Sequence, residues 1–299
     1  MAGNTGDMGN TGNTGDMGIT GNSGSAGIAG EFGGGWFIED RVDLPFVMEL
    51  DEAHAPLRFK RVHRNYFGDR AWAARWWASL VLHDFVATNW RTTTDPIMAT
   101  EWNKITPPDT DEEITGLTVA ARDERAPALG EILSQDVEFT TDFMALLAIT
   151  PGSHPHTYRV LHIASLIGSY AVLYYKGYYD RPRPSQLCPA LLPPIPMPGP
   201  ASWPSGHATQ ARLKALCMEH VLHGVLSGTL ITGDLGAVSS NLRTLATRVA
   251  RNREIAGLHY PTDSAAGRKL ADTIVPFLTS MASTSWFGKA VIAAKGEWS

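Results

Sequence analysis

What this chain has little of narrows it first. Only two cysteines, Cys188 and Cys217, occur in 299 residues, too few for a disulfide framework. Two inert thiols are expected, with a single disulfide as the alternative if the protein meets an oxidising compartment. Positive charge is not in excess: 25 Lys and Arg against 30 Asp and Glu give a formal net charge of −5. That argues against a general binder of nucleic acid or anionic membrane and makes any basic character local. No stretch reaches the roughly 18 consecutive apolar residues of a membrane span. The nearest, Tyr158 to Tyr175, is interrupted by Arg159, His162, Ser165 and Ser169 and reads as a buried helix. The N-terminal residues lack the basic region and apolar core of a secretory leader. A protein without a membrane span is therefore expected, cytoplasmic by default, with the periplasm left open.

Residues 1–35 contain no proline, yet glycine stands at every third position from Gly3 to Gly33 and again at Gly34 and Gly35. A Gly-X-Y period is the collagen signature, because only glycine fits the axis of the triple helix. Proline is what pre-organises that helix, so a proline-free run is expected to be a disordered tail. A trimerising tail, and with it a homo-oligomer, is the alternative.

The rest, residues 36–299, is 18% charged and 43% apolar over the whole sequence, enough to bury one core. Residues 36–68 read as irregular. From 69 to 90 the pattern turns helical, with Trp72, Trp76 and Leu80 in one stripe and Trp76-Trp77 expected in the core. Further helices are expected over 111–124, 126–134, 136–149 and 157–175, the last delivering Lys176 at its end. Nine prolines between 182 and 204 predict a stiff loop without helix. Helices follow over 205–226, 235–258, 261–282 and a short one after Trp286, with a turn at Gly228 and Gly233. No convincing set of strands is present. The expectation is a single all-α domain behind a flexible Gly-rich head. The pair His154/His156 has no acidic or cysteine partner nearby and is expected in a loop; His220 and His223, three apart on a helix, could bind a metal but are expected as a solvated or packed pair.

Three short blocks gather chemistry-bearing residues. The first runs from Lys176 through Arg181-Pro182-Arg183-Pro184, a lysine and two arginines on stiffened backbone that suit the oxygens of an anion. In the second, Pro204-Ser205-Gly206-His207, a proline-rich loop becomes a helix. The free amides of a helix start, a hydroxyl and a close-approach glycine bind anions readily, and His207 sits in that first turn. The third is Arg253, then His259 after five residues, then Asp263 four further on. Pro261 lets the chain turn between two helices, so Asp263 can accept the His259 Nδ1–H and leave Nε2 as a nucleophile or ligand. Singly, each block also has a structural explanation: a solvated basic loop, a chance tetrapeptide, a capping aspartate.

Together, Lys-x6-Arg-Pro, Pro-Ser-Gly-His and Arg-x5-His-x3-Asp in this order resemble the three-part signature of the type 2 phosphatidic acid phosphatase superfamily. That group holds bacterial acid phosphatases, membrane lipid phosphatases and vanadium-dependent haloperoxidases. The likeness covers about the C-terminal half of the chain, and Asn252 stands where the phosphatases usually carry serine before the arginine. It implies a helical bundle of the acid phosphatase/haloperoxidase type with the anion between helices. It also implies that His259 attacks phosphorus, Asp263 orients it, and His207 protonates the leaving group and later activates water. Lys176, Arg183, Arg253, Ser205 and the Gly206 amide would hold the oxygens, with no metal cofactor. The implied activity is hydrolysis of a small phosphate ester. In the alternative, the same pocket holds vanadate on His259 and oxidises halide with peroxide. The sequence His259-Tyr-Pro-Thr-Asp263 is similar to the phosphatases, whereas the soluble scaffold rich in tryptophan and proline is similar to the haloperoxidases. Only Ser202 and Trp203 stand where haloperoxidases tune halide oxidation. A tail-mediated assembly protein with a vestigial site is a third reading, which the intact residue set disfavours.

Overall fold

The computed structural model describes residues 73–223, 225 and 232–298. The expectations for the Gly-X-Y tail, for residues 36–68, for Trp72 and for Gly228 lie outside the described residues. Among those described there is no strand. Ten helices follow one another: α1 Ala74–Val86, α2 Trp90–Trp102, α3 Pro107–Asp123, α4 Arg125–Val137, α5 Thr140–Leu146, α6 Pro155–Tyr179, α7 Gly206–His223, α8 Thr232–Ile255, α9 Pro261–Thr279 and α10 Trp286–Gly296. No helix is long and apolar enough to cross a membrane.

The helix ends obey local chemistry. Thr106 caps α3 ahead of Pro107-Pro108, with its hydroxyl accepting from the Asp109 amide. Ser285 caps α10 through the Gly288 amide. The start of α6 is satisfied from far away: the Glu297 carboxylate accepts the amides of His156 and Thr157, both at 2.7 Å, and the Thr157 hydroxyl. Trp298 Nε1 donates to the same Thr157 oxygen. At the other end of α6, Asp180 takes the left-handed conformation (φ 34°), which an aspartate tolerates, and the chain leaves the helix there.

Helix α7 is the hub. It packs against α6, α8 and α9, while α1 and α10 cover other faces of α6. Both central helices are buried on most sides: α6 hides Val160, Leu161, Ile163, Ala164, Ile167 and Val172, and α7 hides Ala211, Leu213, Cys217, Met218 and Val221. This explains why neither shows a clean amphipathic stripe in sequence. Helix α9 comes close to the head of α7 because Gly267 has no side chain. A Cβ there would meet the Ser205 carbonyl at 2.6 Å and Thr209 Oγ1 at 3.0 Å.

Several expectations need correction, among them the loop expected at His156, which lies in α6. The helix expected over 69–90 ends at Val86, and a separate α2 begins at Trp90. Its core stripe is Trp77, Ala78, Val81 and Phe85; Trp77 is 5% exposed whereas Trp76 is 55% exposed. The proline-rich loop does hold one helical turn, Pro184–Leu187, followed by a 3-10 turn at Pro189–Leu191, since proline is tolerated in the first turn. Finally, Gly233 lies inside α8 and makes no turn. Cys188 and Cys217 are both free thiols, which removes the disulfide alternative; burial pushes the Cys217 thiol up to about 12.

Candidate functional site

The site begins where α9 begins. The connection from α8 turns at Gly257, whose φ of +77° only glycine adopts without strain, and then delivers His259. Pro261 occupies the first helical position, and Asp263 sits in the first turn, where its carboxylate accepts the Tyr260 amide at 3.0 Å. The same oxygen lies 3.2 Å from His259 Nδ1. A carboxylate only accepts, so Nδ1 carries the proton and Nε2 keeps its lone pair. Nε2 in turn lies 3.3 Å from Arg183 Nη1.

Asp263 is itself over-determined. Arg181 Nη1 donates to its Oδ1 at 2.6 Å and Arg181 Nη2 to Glu113 at 3.0 Å, while the guanidinium lies 3.7 Å from the Tyr260 ring centre. The Ser202 hydroxyl donates to Asp263 Oδ2. Burial pushes the Asp263 carboxyl up, but the hydrogen bond from His259 and the Arg181 charge outweigh it and hold the group well below the usual carboxylate range. Arg181 is therefore the partner that fixes the orienting aspartate, and only Arg183 of the two loop arginines faces His259.

The lysine and arginine of the first block grip the loop in front of the site. Lys176, in the last turn of α6 and not beyond it, donates to the carbonyls of Ala201 and Ser202. Arg183 donates through Nε and Nη2 to the Pro200 carbonyl (3.1 and 2.8 Å) and through Nη1 to the Leu258 carbonyl (2.9 Å). Burial, aided by the neighbouring Arg183 charge, lowers the Lys176 ammonium well below its ordinary value. Burial brings Arg183 down to about 10, with Arg253 adding to the shift and Asp263 opposing it.

The second block forms the head of α7. The Ser205 amide donates to the Asp263 carbonyl at 3.0 Å, which ties the starts of α7 and α9 together. The Ser205 hydroxyl accepts the Ala208 amide at 3.3 Å. The amides of Gly206 and His207 fall in the first turn, where a helix has no acceptor of its own for them. His207 is buried against the Phe139 ring, 5.2 Å between centres. Its Nε2 is 3.0 Å from the Gln135 carbonyl, so Nε2 carries the proton, and its Nδ1 has no hydrogen-bond partner. Burial, then the Arg253 charge, lowers His207 well below its ordinary value.

Arg253 closes the site from the last turn of α8 and pairs with Asp136 at 3.0 Å; burial lowers it, against the pull of Asp136. Asn252 points the other way. Its amide donates to Glu131 and to Gln135 Oε1, each at 2.9 Å, so the residue that departs from the resemblance cross-links α8 to α4.

The structure thus brings all eight predicted residues, Lys176, Arg183, Ser205, Gly206, His207, Arg253, His259 and Asp263, to the converging ends of α6, α7, α8 and α9. Sequence reasoning missed Arg181 in its supporting role, Ser202, Glu113, Gln135 and Asp136. Arg181 carried a signal, since it repeats the Arg-Pro pattern; the others lie in helices or loops with no motif of their own. His154, His156, His220 and His223 stay outside the cluster, and among the described residues no group of three or more His, Cys, Asp or Glu could hold a metal ion. No protein-family model matches this chain, and no curated protein does.

Proposed function

We propose that this cluster hydrolyses a small phosphate monoester through a phosphohistidine intermediate. One observation carries the reading. The unprotonated Nε2 of His259 is aimed at the Arg183 guanidinium, 3.3 Å away, inside a group of basic side chains whose charged forms burial disfavours. His259 is lowered to about 3 by burial, with Asp263 opposing and the Arg183 and Lys176 charges adding to the shift. Lys176, Arg183, Arg253 and His207 are all shifted the same way. Buried like charges are costly, and an anion among them relieves every one of these penalties. A tetrahedral oxyanion with a leaving group is the ligand for which a neutral imidazole and a surrounding set of cations are both useful.

The chemistry follows from the tautomers. Nε2 of His259 forms an N–P bond as the ester P–O bond breaks, and Asp263 stabilises the charge that grows on the imidazole. Lys176, Arg183, Arg253, the Ser205 hydroxyl and the Gly206 amide hold the oxygens as the phosphoryl group passes in line. A bound phosphate dianion raises the proton affinity of His207, whose Nε2 stays on the Gln135 carbonyl; Nδ1 is then the atom that gives its proton to the leaving alkoxide. The neutral His207 next takes a proton from water, the water oxygen attacks phosphorus, the N–P bond breaks and phosphate leaves.

The test follows p-nitrophenyl phosphate hydrolysis in chelator, then quenches the enzyme with labelled substrate and maps the label. Acid-labile phosphate on His259, with hydrolysis inhibited by orthovanadate, is expected. Unlabelled His259 during active turnover would overturn the intermediate. Vanadate-dependent bromination of a phenolic dye, with feeble hydrolysis, would move the same pocket to halide oxidation.

A further inference from the structure

The last two turns of α6 carry Lys176 on one side and four tyrosines, Tyr174, Tyr175, Tyr178 and Tyr179, on another. At spacings of one and four these rings form two adjoining columns on one helix face. Opposite them, Asp95 and Ala99 of α2 close a cavity of about 190 Å³. Its size suits one small head group, since pockets for drug-sized ligands run to roughly 300–1,000 Å³.

The walls have a definite sign. Tyr174 and Tyr175 meet at 5.0 Å and 77°, Tyr178 and Tyr179 at 4.8 Å and 75°, and Tyr175 and Tyr179 stack at 6.4 Å and 25°. The lining is therefore aromatic on the α6 side, and aromatic faces are negative. At the base, the Tyr175 hydroxyl donates at 2.8 Å to Asp95 Oδ1, which fixes the carboxylate toward the rings. No basic residue lines the cavity. A basic side chain already uses the neighbouring surface: the Arg91 guanidinium lies 5.4 Å from the Tyr174 ring centre. Tyr178 is 74% exposed, so its ring is open to solvent at the rim of the cavity.

We infer that this cavity is an aromatic cage for a methylated ammonium group, lying outside the oxyanion cluster. A compact primary ammonium is strongly hydrated and gains little from ring faces. A quaternary ammonium has no N–H to satisfy, spreads its charge over methyl groups, and suits three or four ring faces with one carboxylate beyond them. The chemistry fits choline-type small molecules and trimethyllysine side chains alike.

The experiment titrates the full chain with choline, with its neutral carbon isostere 3,3-dimethylbutan-1-ol, and with ammonium, read by calorimetry and by tryptophan fluorescence. Trp102 reports directly, since its ring centre is 4.8 Å from that of Tyr179. Choline is expected to bind at least about tenfold tighter than the isostere and than ammonium. Tyr178→Ala, at an exposed position, and Asp95→Asn, which keeps an oxygen for the Tyr175 hydroxyl, should each weaken choline several-fold with unchanged circular dichroism. Equal binding of choline and the isostere, ammonium as tight as choline, no detectable binding of choline, or variants that bind like the parent would each overturn the cage. A trimethyllysine peptide in the same titration separates the sources: tighter than choline supports a protein partner for the cage, weaker supports a free small molecule.

Discussion

Two helix starts meet in this site, and they hold their histidines by different means. At the head of α9, His259 is bracketed by charge: Asp263 on Nδ1 and Arg183 on Nε2, with Arg181 and Ser202 fixing the aspartate behind. At the head of α7, His207 rests on one main-chain carbonyl and one phenyl ring, and its Nδ1 is unengaged. The first arrangement fixes a tautomer and an aim through groups that side-chain substitution can remove. The second fixes the tautomer through backbone, which substitution cannot easily remove, and leaves the proton-accepting atom open. In the proposed reaction the nucleophile must point at one atom throughout, whereas the acid that later serves as base must exchange its proton with two different oxygens.

That contrast sets the order of expected effects. His259→Ala should lower kcat on the order of 10⁴-fold or more; turnover near that of the parent in a steady-state assay would sink the assignment. His207→Ala should cost about 10²–10⁴-fold with alkyl phosphates and distinctly less with p-nitrophenyl phosphate, whose leaving group needs no proton. Equal losses on the two substrates would remove its role as acid. Arg181→Met strips the buried Asp263 of its ion pair and should destabilise the fold by about 3–5 kcal/mol, seen in urea denaturation. Asn252→Ala, by comparison, should mainly loosen α8 from α4 at about 1–2 kcal/mol and change KM for the ester little.

The two histidines also make the fold acid-sensitive in a defined window. The folded protein binds a proton at His259 only near pH 3, while an unfolded chain does so near ~6.5. Between those values the unfolded state holds more protons. Stability is therefore complete above about pH 6.5 and falls toward pH 3, by up to about 1.4 kcal/mol per pH unit for each such histidine. His259→Gln should flatten the slope of Tm against pH between pH 6.5 and 4; an unchanged slope would mean that other groups set it. Gly267→Ala should cost about 1–3 kcal/mol by pressing α9 off the Ser205 carbonyl, and it should lower activity more than its effect on Tm alone explains.

Much of the site was legible because its residues cluster in short blocks and helix punctuation falls beside them. Pro261 and Asp263 mark the start of α9 whether or not the structure is known, and the spacing from His259 puts both on one side of the turn. The supports were not legible. Asp136 lies 117 residues from Arg253, and nothing in the α4 sequence distinguishes it from other surface acids. His207 rests on the Gln135 carbonyl, a backbone atom that has no residue signature. Within α1, the stripes through Trp76 and Trp77 are both apolar at helical spacing, and only the partners supplied by α6 and α10 decide which is buried. Ser202 stood out in the sequence only for its place where haloperoxidases tune halide oxidation; its hydroxyl goes to the Asp263 carboxylate, while Lys176 and Arg183 hold the Pro200–Ser202 carbonyls.

The clamp at the start of α6 has a consequence in time. The amides of His156 and Thr157 find their acceptor 140 or more residues downstream, on Glu297. While the chain emerges from the ribosome, the helix that presents Lys176 has no such closure, and α7, which packs along it, arrives earlier than the residue that pins its first turn. Synthesis through position 297 is therefore what supplies the acceptor for the first turn of α6, so a chain that ends before it should carry every motif of the site and be more sensitive to protease at the opening turn of α6.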